Sequence, residues 1–149
     1  MPTPAATPSH SLDPNYAVAV NASTCDFSLE LPPVESSVAT ARHAARRAAQ
    51  TAGAEEQDVA LAVSEAVGNS VVHGFRFGRQ GSILVSAETT GDALIVVVRD
   101  DGVGMLPDLD RPSLGLGTSL ISRLSAEATF ESSEMGTTVT MRFELKGKG

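Results

Sequence analysis

The chain has 149 residues, of which 42% are hydrophobic and 19% charged, and this length and composition predict one soluble globular domain with a single core. Its 18 acidic and 11 basic side chains give a formal net charge of −7, whereas a nucleic-acid binder usually carries the opposite balance because it must neutralise phosphates. We therefore expect no direct contact with DNA or RNA.

Three further features bear on the compartment. The single cysteine, Cys25, excludes an internal disulfide and a cysteine-rich metal site. No Lys or Arg precedes Arg42, so the basic start of a secretory signal is missing. The longest strongly apolar run, residues 93–98, is far shorter than the roughly 20 residues that a membrane helix needs. We expect a cytoplasmic protein that does not contact membranes.

The N-terminal segment predicts a tail followed by a strand. Residues 1–24 are rich in Pro, Ala, Ser and Thr and lack periodicity, so we expect a mostly disordered tail and a folded domain over residues 25–149. Residues 27–31 alternate as in a short strand, which Pro32 and Pro33 end.

Two helices are predicted next. Residues 34–52 are rich in Ala and Arg, which favours a helix, and Gly53 follows where a C-terminal cap would lie. A second helix should cover residues 55–73, with Gly74 after it.

The second half of the chain predicts four strands, a loop and a helix. In chain order these are strands over residues 82–89 and 93–100, a loop over 101–111, a helix from Ser113 to about 124, and strands over 126–134 and 137–145. The second strand of this half is apolar at consecutive positions, as expected of a central strand covered on both faces. The order of elements predicts an α+β two-layer sandwich, with helices on one face of a mixed, largely antiparallel sheet.

The second predicted helix carries a polar stripe. Glu65, Asn69 and His73 are four residues apart, so they should stack along one side of the helix. Three valines occupy the opposite side and should face the sheet: Val59, Val63 and Val67. Apolar residues between the polar ones indicate a half-buried pocket wall, and the alternative is a solvated stripe in which His73 caps the helix.

The residue types on this stripe fit a metal-bound nucleotide. The amide oxygen of Asn69 is a hard ligand suited to Mg²⁺, which takes few protein ligands and keeps substrate phosphates as others. Glu65, one turn earlier, could accept a proton from an attacking hydroxyl or water.

Asp100 ends the predicted central strand, at the mouth of the sheet. An ionised carboxylate only accepts hydrogen bonds, which matches the exocyclic amino group of adenine. Gly102 and Gly104 would let the backbone approach a flat ring closely. The alternative is a plain Asp-Gly turn between two elements.

A glycine-rich segment opens the third predicted helix. Free N–H groups at a helix start form a natural phosphate cradle, although most Gly-x-Gly pairs are only turns. The segment comprises Gly115, Leu116, Gly117 and Thr118. The sequence Gly136-Thr137 before the last strand is weaker evidence, since it also fits a hairpin turn.

The order of these motifs is more specific than any one of them. Glu-x-x-x-Asn, Asp-x-Gly-x-Gly, Gly-x-Gly and Gly-Thr together resemble the motif series of the ATPase superfamily of gyrase, heat-shock chaperones, histidine kinases and mismatch-repair proteins. The resemblance spans residues 27–145. The short stretch between the second and third motifs, and the phrase Ser-Glu-Ala-Val-Gly-Asn-Ser-Val-Val-His-Gly, are most similar to the anti-sigma factor serine/threonine kinases.

The resemblance implies the histidine-kinase-like (Bergerat) ATPase fold and a role for each motif. Asp100 would bind the adenine amino group, with Gly102 and Thr137 helping through an ordered water. Asn69 would ligate Mg²⁺, and Glu65 would be the general base that activates the acceptor hydroxyl.

The family also implies a lid over the nucleotide, which Gly104 would begin and which would run to about Arg111. Backbone contacts to the ATP phosphates would come from Gly115, Leu116 and Gly117 with Thr118. Some family members carry an arginine directly before the Gly-x-Gly, aimed at the γ-phosphate. Three residues separate Arg111 from that motif here, so it is out of register.

We therefore expect an ATP- and Mg²⁺-binding serine/threonine kinase that phosphorylates an anti-sigma factor antagonist, sequesters a sigma factor and forms a homodimer, as the family often does. The displaced Arg111 favours an alternative, a partner-sequestering ATP-binding module with little or no kinase activity.

Two further functions have less support. The catalytic half of a histidine kinase needs an acceptor histidine on a dimerisation helix, whereas His10 lies in the tail and His43 in an Arg-rich helix. The four aspartates of residues 100–110 do not match the spacing of a calcium loop and fit a solvated lid better.

Overall fold

The computed structural model describes residues 17–21, 26–74, 81–102 and 119–146, which form a six-stranded sheet with helices packed on it. The strands in chain order are β1 (Ala17–Asn21), β2 (Asp26–Leu31), β3 (Ile83–Thr89), β4 (Ala93–Asp100), β5 (Glu127–Ser133) and β6 (Gly136–Glu144). The helices are α1 (Ser36–Ala52), α2 (Glu56–Asn69), a π-helical turn (Ser70–Gly74) that continues α2, and α3, whose described residues are 119–124.

The strands lie in the order β1-β2-β3-β4-β6-β5. All five pairings are antiparallel, so the expected α+β class is confirmed and the described sheet is antiparallel throughout rather than mixed. Because β4 lies between β3 and β6, its backbone is paired along both edges.

The prediction of a disordered tail up to residue 24 is wrong at Ala17–Asn21, which form β1. This segment pairs with β2, in a register that sets Val18 opposite Leu29. The alternation Ala-Val-Ala-Val is a strand pattern that composition alone hides. Residues 1–16 and 22–25 lie outside the described residues.

Small side chains on α1 allow it to approach its neighbours closely. Its core face consists of Ala41, Ala45, Ala48 and Ala49, all of them buried. Gly53 ends the helix with φ +93°, and its N–H donates to the carbonyl oxygen of Ala49, as a C-terminal glycine cap requires. The cap predicted from the sequence is confirmed.

The valine side of α2 faces the core, as predicted: Val59, Val63 and Val67 are fully buried. The single helix expected over residues 55–73 is in fact α2 followed by the π-helical turn. A π-helical turn closes its hydrogen bonds over five residues rather than four, so the regular α-helical spacing of α2 ends at Asn69.

The core lies between the helices and one face of the sheet. On β4, Leu94, Val96 and Val98 point into it and are at most 1% exposed. Ile95 and Val97, on the other face, are only partly buried, so the expectation that both faces of β4 are covered is wrong for the described residues. None of the described helices is long and apolar enough to cross a membrane.

Candidate functional site

The site is built around Asp100, the last residue of β4, whose side chain is 5% exposed. Its Oδ2 accepts a hydrogen bond from the Ser70 hydroxyl at 2.6 Å, and its Oδ1 accepts one from the Gly102 backbone N–H at 2.9 Å. A buried carboxyl group is costly unless it is hydrogen-bonded, and here each oxygen has its own donor.

Ser70 joins the second helix to this strand. Its backbone N–H continues the α2 ladder by donating to Ala66, while its side chain leaves the helix to contact Asp100 across 30 positions of sequence. The end of α2 therefore lies against the end of β4.

Ser70 was missed as a site residue by the sequence analysis, although the sequence carries a signal for it. Counting back four, seven and eleven residues from Ser70 gives Ala66, Val63 and Val59, which are all buried. Ser70 is thus a polar residue on the apolar face of the helix, where a hydroxyl needs a partner.

Strand β6 supplies the opposite wall. Thr137 is directly paired with Asp100 in the sheet, is 5% exposed, and shares a hydrogen bond with the Ser132 hydroxyl at 3.0 Å. Gly136 has φ +131°, and a Cβ at this position would overlap the Asp100 carbonyl oxygen. Only glycine lets this turn approach so closely.

The structure concentrates buried polar groups at this point. The described part of the chain has five buried polar side chains, and three of them belong to this cluster: Ser70, Asp100 and Thr137. Packing alone would not bring these side chains together, because every buried polar group needs a hydrogen-bond partner, which an apolar side chain does not. The strand end is therefore a built polar site.

Asp101 has a different role from its neighbour. It is exposed, and its Oδ1 accepts a hydrogen bond from the Ser82 N–H at 2.9 Å, next to the start of β3. For Asp101, the interpretation as a turn residue is sufficient.

Glu65 and Asn69 lie on α2 leading to this cluster, and both are half-buried. Asn69 immediately precedes Ser70, and Glu65 is one turn earlier. Neither side chain has a hydrogen bond to another described residue. Both are free, within that part of the chain, to contact a ligand.

Several predicted site residues, and one side chain, cannot be compared with the structure. The backbone of His73 is part of the π-helical turn, but its side chain lies outside the described set. The lid and phosphate residues lie outside the described residues altogether: Gly104, Arg111, Gly115, Leu116, Gly117 and Thr118.

The residues present fit an adenine nucleotide. Asp100 offers acceptor oxygens at the end of a strand, beside the backbone of Gly102 and the glycine turn at Gly136. Among the described residues, His, Cys, Asp and Glu form no group of three that could hold a metal. A Mg²⁺ ion at Asn69 would therefore depend on the phosphates for its other ligands.

Comparison with known proteins agrees with this geometry. The family model described as the histidine kinase-like ATPase domain matches residues 31–143, which include every described residue of the cluster. An anti-sigma F factor of Clostridium novyi is 33% identical, over 62% of this chain and 73% of the relative. One from Bacillus licheniformis is 32% identical, over 61% of this chain and 70% of the relative.

Two solved structures share the fold. The RsbU and RsbW domains from Mycobacterium tuberculosis align with a TM-score of 0.62 and 23% identity, over 80% of this chain and 32% of that one. The histidine kinase domain of a blue-light activated kinase from Erythrobacter litoralis aligns with a TM-score of 0.54 and 24% identity, over 76% and 65%. The resemblance predicted from the motifs is confirmed: the chain belongs to the histidine kinase-like ATPase family and is related within it to the anti-sigma F factors.

Proposed function

We propose that this protein is an ATP- and Mg²⁺-binding serine/threonine kinase of anti-sigma factor type, which phosphorylates an antagonist protein and sequesters a sigma factor. The observation that carries the proposal is the buried Asp100 carboxylate, held by Ser70 and Gly102 at the point where α2 meets β4. The relationship to anti-sigma F factors supports the choice of partners and a cytoplasmic location. The homodimer is proposed from the motif resemblance alone.

Asp100 recognises the base. Its oxygens accept a hydrogen bond from the amino group of adenine, and Gly102 and Thr137 assist through an ordered water. Guanine and hypoxanthine present a carbonyl oxygen at the same ring position, so the carboxylate disfavours them.

The polar side of α2 serves the phosphates and the reaction. Asn69 ligates Mg²⁺, which supplies positive charge to the phosphates when bound. Glu65 accepts the proton of the acceptor Ser or Thr hydroxyl as its oxygen bonds to the γ-phosphorus and the bond to the β-phosphate oxygen breaks, releasing ADP. The half-buried position of both side chains supports these roles.

The remaining assignments rest on the motifs alone. Gly104 begins a lid over the nucleotide, and Arg111 lies within it. The backbone of the glycine-rich segment binds the phosphates, at Gly115, Leu116, Gly117 and Thr118.

Calorimetric titration with ATP and Mg²⁺ tests the nucleotide site. We expect binding by the parent protein and its loss in Asp100→Ala and in Asn69→Ala. Asp92→Ala is the matched control, because Asp92 is exposed and pairs with Arg142 beyond the far end of β4. Unchanged binding in both site variants would overturn the assignment.

Phosphoryl transfer to a purified antagonist protein tests the kinase. We expect labelled phosphoserine or phosphothreonine with the parent and with Glu88→Gln, an exposed glutamate on β3, and little product with Glu65→Gln. Undiminished transfer by Glu65→Gln would exclude Glu65 as the base.

The second candidate function is an ATP-binding module that sequesters its partner with little or no turnover. The observation in its favour is the register of Arg111, which three residues separate from the Gly-x-Gly motif. Stoichiometric complex formation by the parent with ATP and partner, without phosphorylated product, would establish this function instead.

A further inference from the structure

We propose that Ser70 is a positioning residue that sets the base selectivity of the site. The Ser70 hydroxyl donates its one proton to Asp100 and so orients the carboxylate. The carboxylate oxygens then face the base as hydrogen-bond acceptors. A carboxylate oriented in this way favours a purine with an amino group at C6 over one with a carbonyl there. The inference rests on the proposed function, because it requires a nucleotide base at Asp100.

The first support is the geometry of the carboxylate. The distance of 2.6 Å from Ser70 Oγ to Asp100 Oδ2 is short, within the range of hydroxyl–carboxylate bonds. The second bond, from the Gly102 N–H, is made to the other oxygen at 2.9 Å. Because the two donors hold different oxygens, they fix the rotation of the carboxylate plane, which one bond alone would leave free.

The second support is that the hydroxyl proton of Ser70 and the backbone N–H of Gly102 are both already donated to Asp100. A serine hydroxyl has one proton and two lone pairs, so Ser70 cannot donate to a ligand while it donates to Asp100. The Gly102 N–H is occupied in the same way. At Asp100 the amino group of adenine meets carboxylate oxygens, which accept hydrogen bonds, whereas a C6 carbonyl would face the same oxygens with no proton to share.

The third support is that helix packing does not account for a serine. Ser70 is 7% exposed and continues a face whose other members include Val59, Val63 and Ala66. Alanine would fill that position without bringing a polar group into the core. The bond to Asp100 is therefore the feature that a serine adds.

The test compares ADP with inosine diphosphate, which has identical phosphates and a carbonyl in place of the amino group at C6. We expect the parent to prefer ADP, so that the dissociation constant of inosine diphosphate divided by that of ADP is well above one. Ser70→Ala should reduce this ratio by roughly tenfold, the effect of losing one hydrogen bond to a charged group. A change in this ratio reports a coupling between the Ser70 side chain and the group at C6 of the base. A general loss of structure would weaken both nucleotides alike and leave the ratio unchanged.

Ser125→Ala is the matched control. Ser125 is also buried, but its hydroxyl donates to the Ile121 carbonyl oxygen, and the neighbouring Ala126 bonds to Arg142, far along β6 from Thr137. We expect it to leave the ratio unchanged. Ser70→Thr, which keeps a hydroxyl, should retain most of the preference, and Ser70→Cys, a weaker donor of similar size, should give an intermediate ratio even if Ser70→Ala does not fold.

Two outcomes separate the inference from its foundation. If the parent prefers ADP and the Ser70 variants weaken both nucleotides equally, or leave the ratio unchanged, Ser70 does not position Asp100 and the inference is overturned. If the parent binds neither nucleotide, the proposed function itself is overturned.

Discussion

At the scale of single residues, Gly136 and Asp100 depend on each other through their backbones. Gly136 opens β6 with φ +131°, a conformation that L side chains rarely adopt. A Cβ would also overlap the Asp100 carbonyl oxygen, which belongs to the paired backbone of β4 and cannot move aside as a flexible side chain could. The turn before β6 therefore fixes the position of the residue that carries the site.

We predict that Gly136→Ala lowers the free energy of unfolding by about 3 kcal/mol or more and weakens nucleotide binding, because backbone strain and steric overlap act together. Urea denaturation and titration with ADP measure the two effects.

Gly91→Ala is the control for Gly136→Ala. A Cβ at Gly91, in the turn between β3 and β4, has no neighbour within 4 Å. We expect a change of at most about 0.5 kcal/mol. Equal effects at the two glycines would contradict the close contact between Gly136 and Asp100.

At the scale of elements, α2 has two faces with opposite requirements. Val63 is fully buried against the core, while Leu61, two residues earlier, is 44% exposed. The position on the helix, rather than the size of the side chain, should decide how much each contributes to stability.

We predict that Val63→Ala costs about 2 kcal/mol of unfolding free energy, from lost burial and a residual cavity, and that Leu61→Ala costs less than about 0.5 kcal/mol. Chemical denaturation of both variants provides the comparison. A larger loss from the bigger but exposed leucine would reverse the assignment of the faces.

Gly68 occupies the interior of the same helix without a steric reason for glycine. Its φ is not positive, and a Cβ would have no neighbour within 4 Å. We predict that Gly68→Ala raises the free energy of unfolding by about 0.5 to 1 kcal/mol, because glycine loses more conformational freedom in a helix than alanine does. Thermal unfolding without ligand measures this change. A decrease in stability would show that the folded structure requires glycine at position 68.

These elements show which parts of the structure were predictable from sequence. The faces of α2, the Gly53 cap and the limits of β4 follow from periodicity and from glycine at a helix end, which are local properties. β1 was missed because its stability comes from pairing with β2, a partner that composition does not reveal. The π-helical turn was missed because such turns are rare and occur mostly as single-turn departures within an α-helix, so helical periodicity alone predicts an uninterrupted α-helix.

The candidate site divides in the same way. Asp100 and Thr137 were identified from motifs, and the sheet pairs them directly. The contact from Ser70 spans 30 positions of sequence, and the closeness of Gly136 to Asp100 arises only when β6 pairs with β4. Interactions of this kind are set by tertiary structure, so local patterns give at most a hint, such as a serine on an apolar helix face.

At the scale of the whole molecule, the site lies where the two layers meet. β4 is an interior strand, and its last residue accepts a hydrogen bond from the segment that continues α2. Among the described residues of the site, the end of α2 is joined to the end of β4 by the hydrogen bond from Ser70 and by the packing beneath it. A ligand that contacts both Asp100 and the α2 side chains therefore bridges the helical layer and the sheet.

This bridging predicts a coupling between nucleotide and stability. A ligand that binds only the folded state adds about 2.7 kcal/mol at one hundred times its dissociation constant, which corresponds to a rise in Tm of roughly 5 to 10 °C for a domain of this size. We expect this rise in the parent and in Asp92→Ala, whose substitution lies beyond the opposite end of β4.

Asp100→Ala should behave differently in the same thermal scans. It removes the acceptor of both the Ser70 hydroxyl and the Gly102 N–H, so the variant without ligand should already melt at a lower temperature than the parent. Adding ADP should then produce little or no further shift, because the group that would recognise the base is gone. If ADP raised the Tm of Asp100→Ala as much as that of the parent, the nucleotide would be binding somewhere other than this junction of helix and strand.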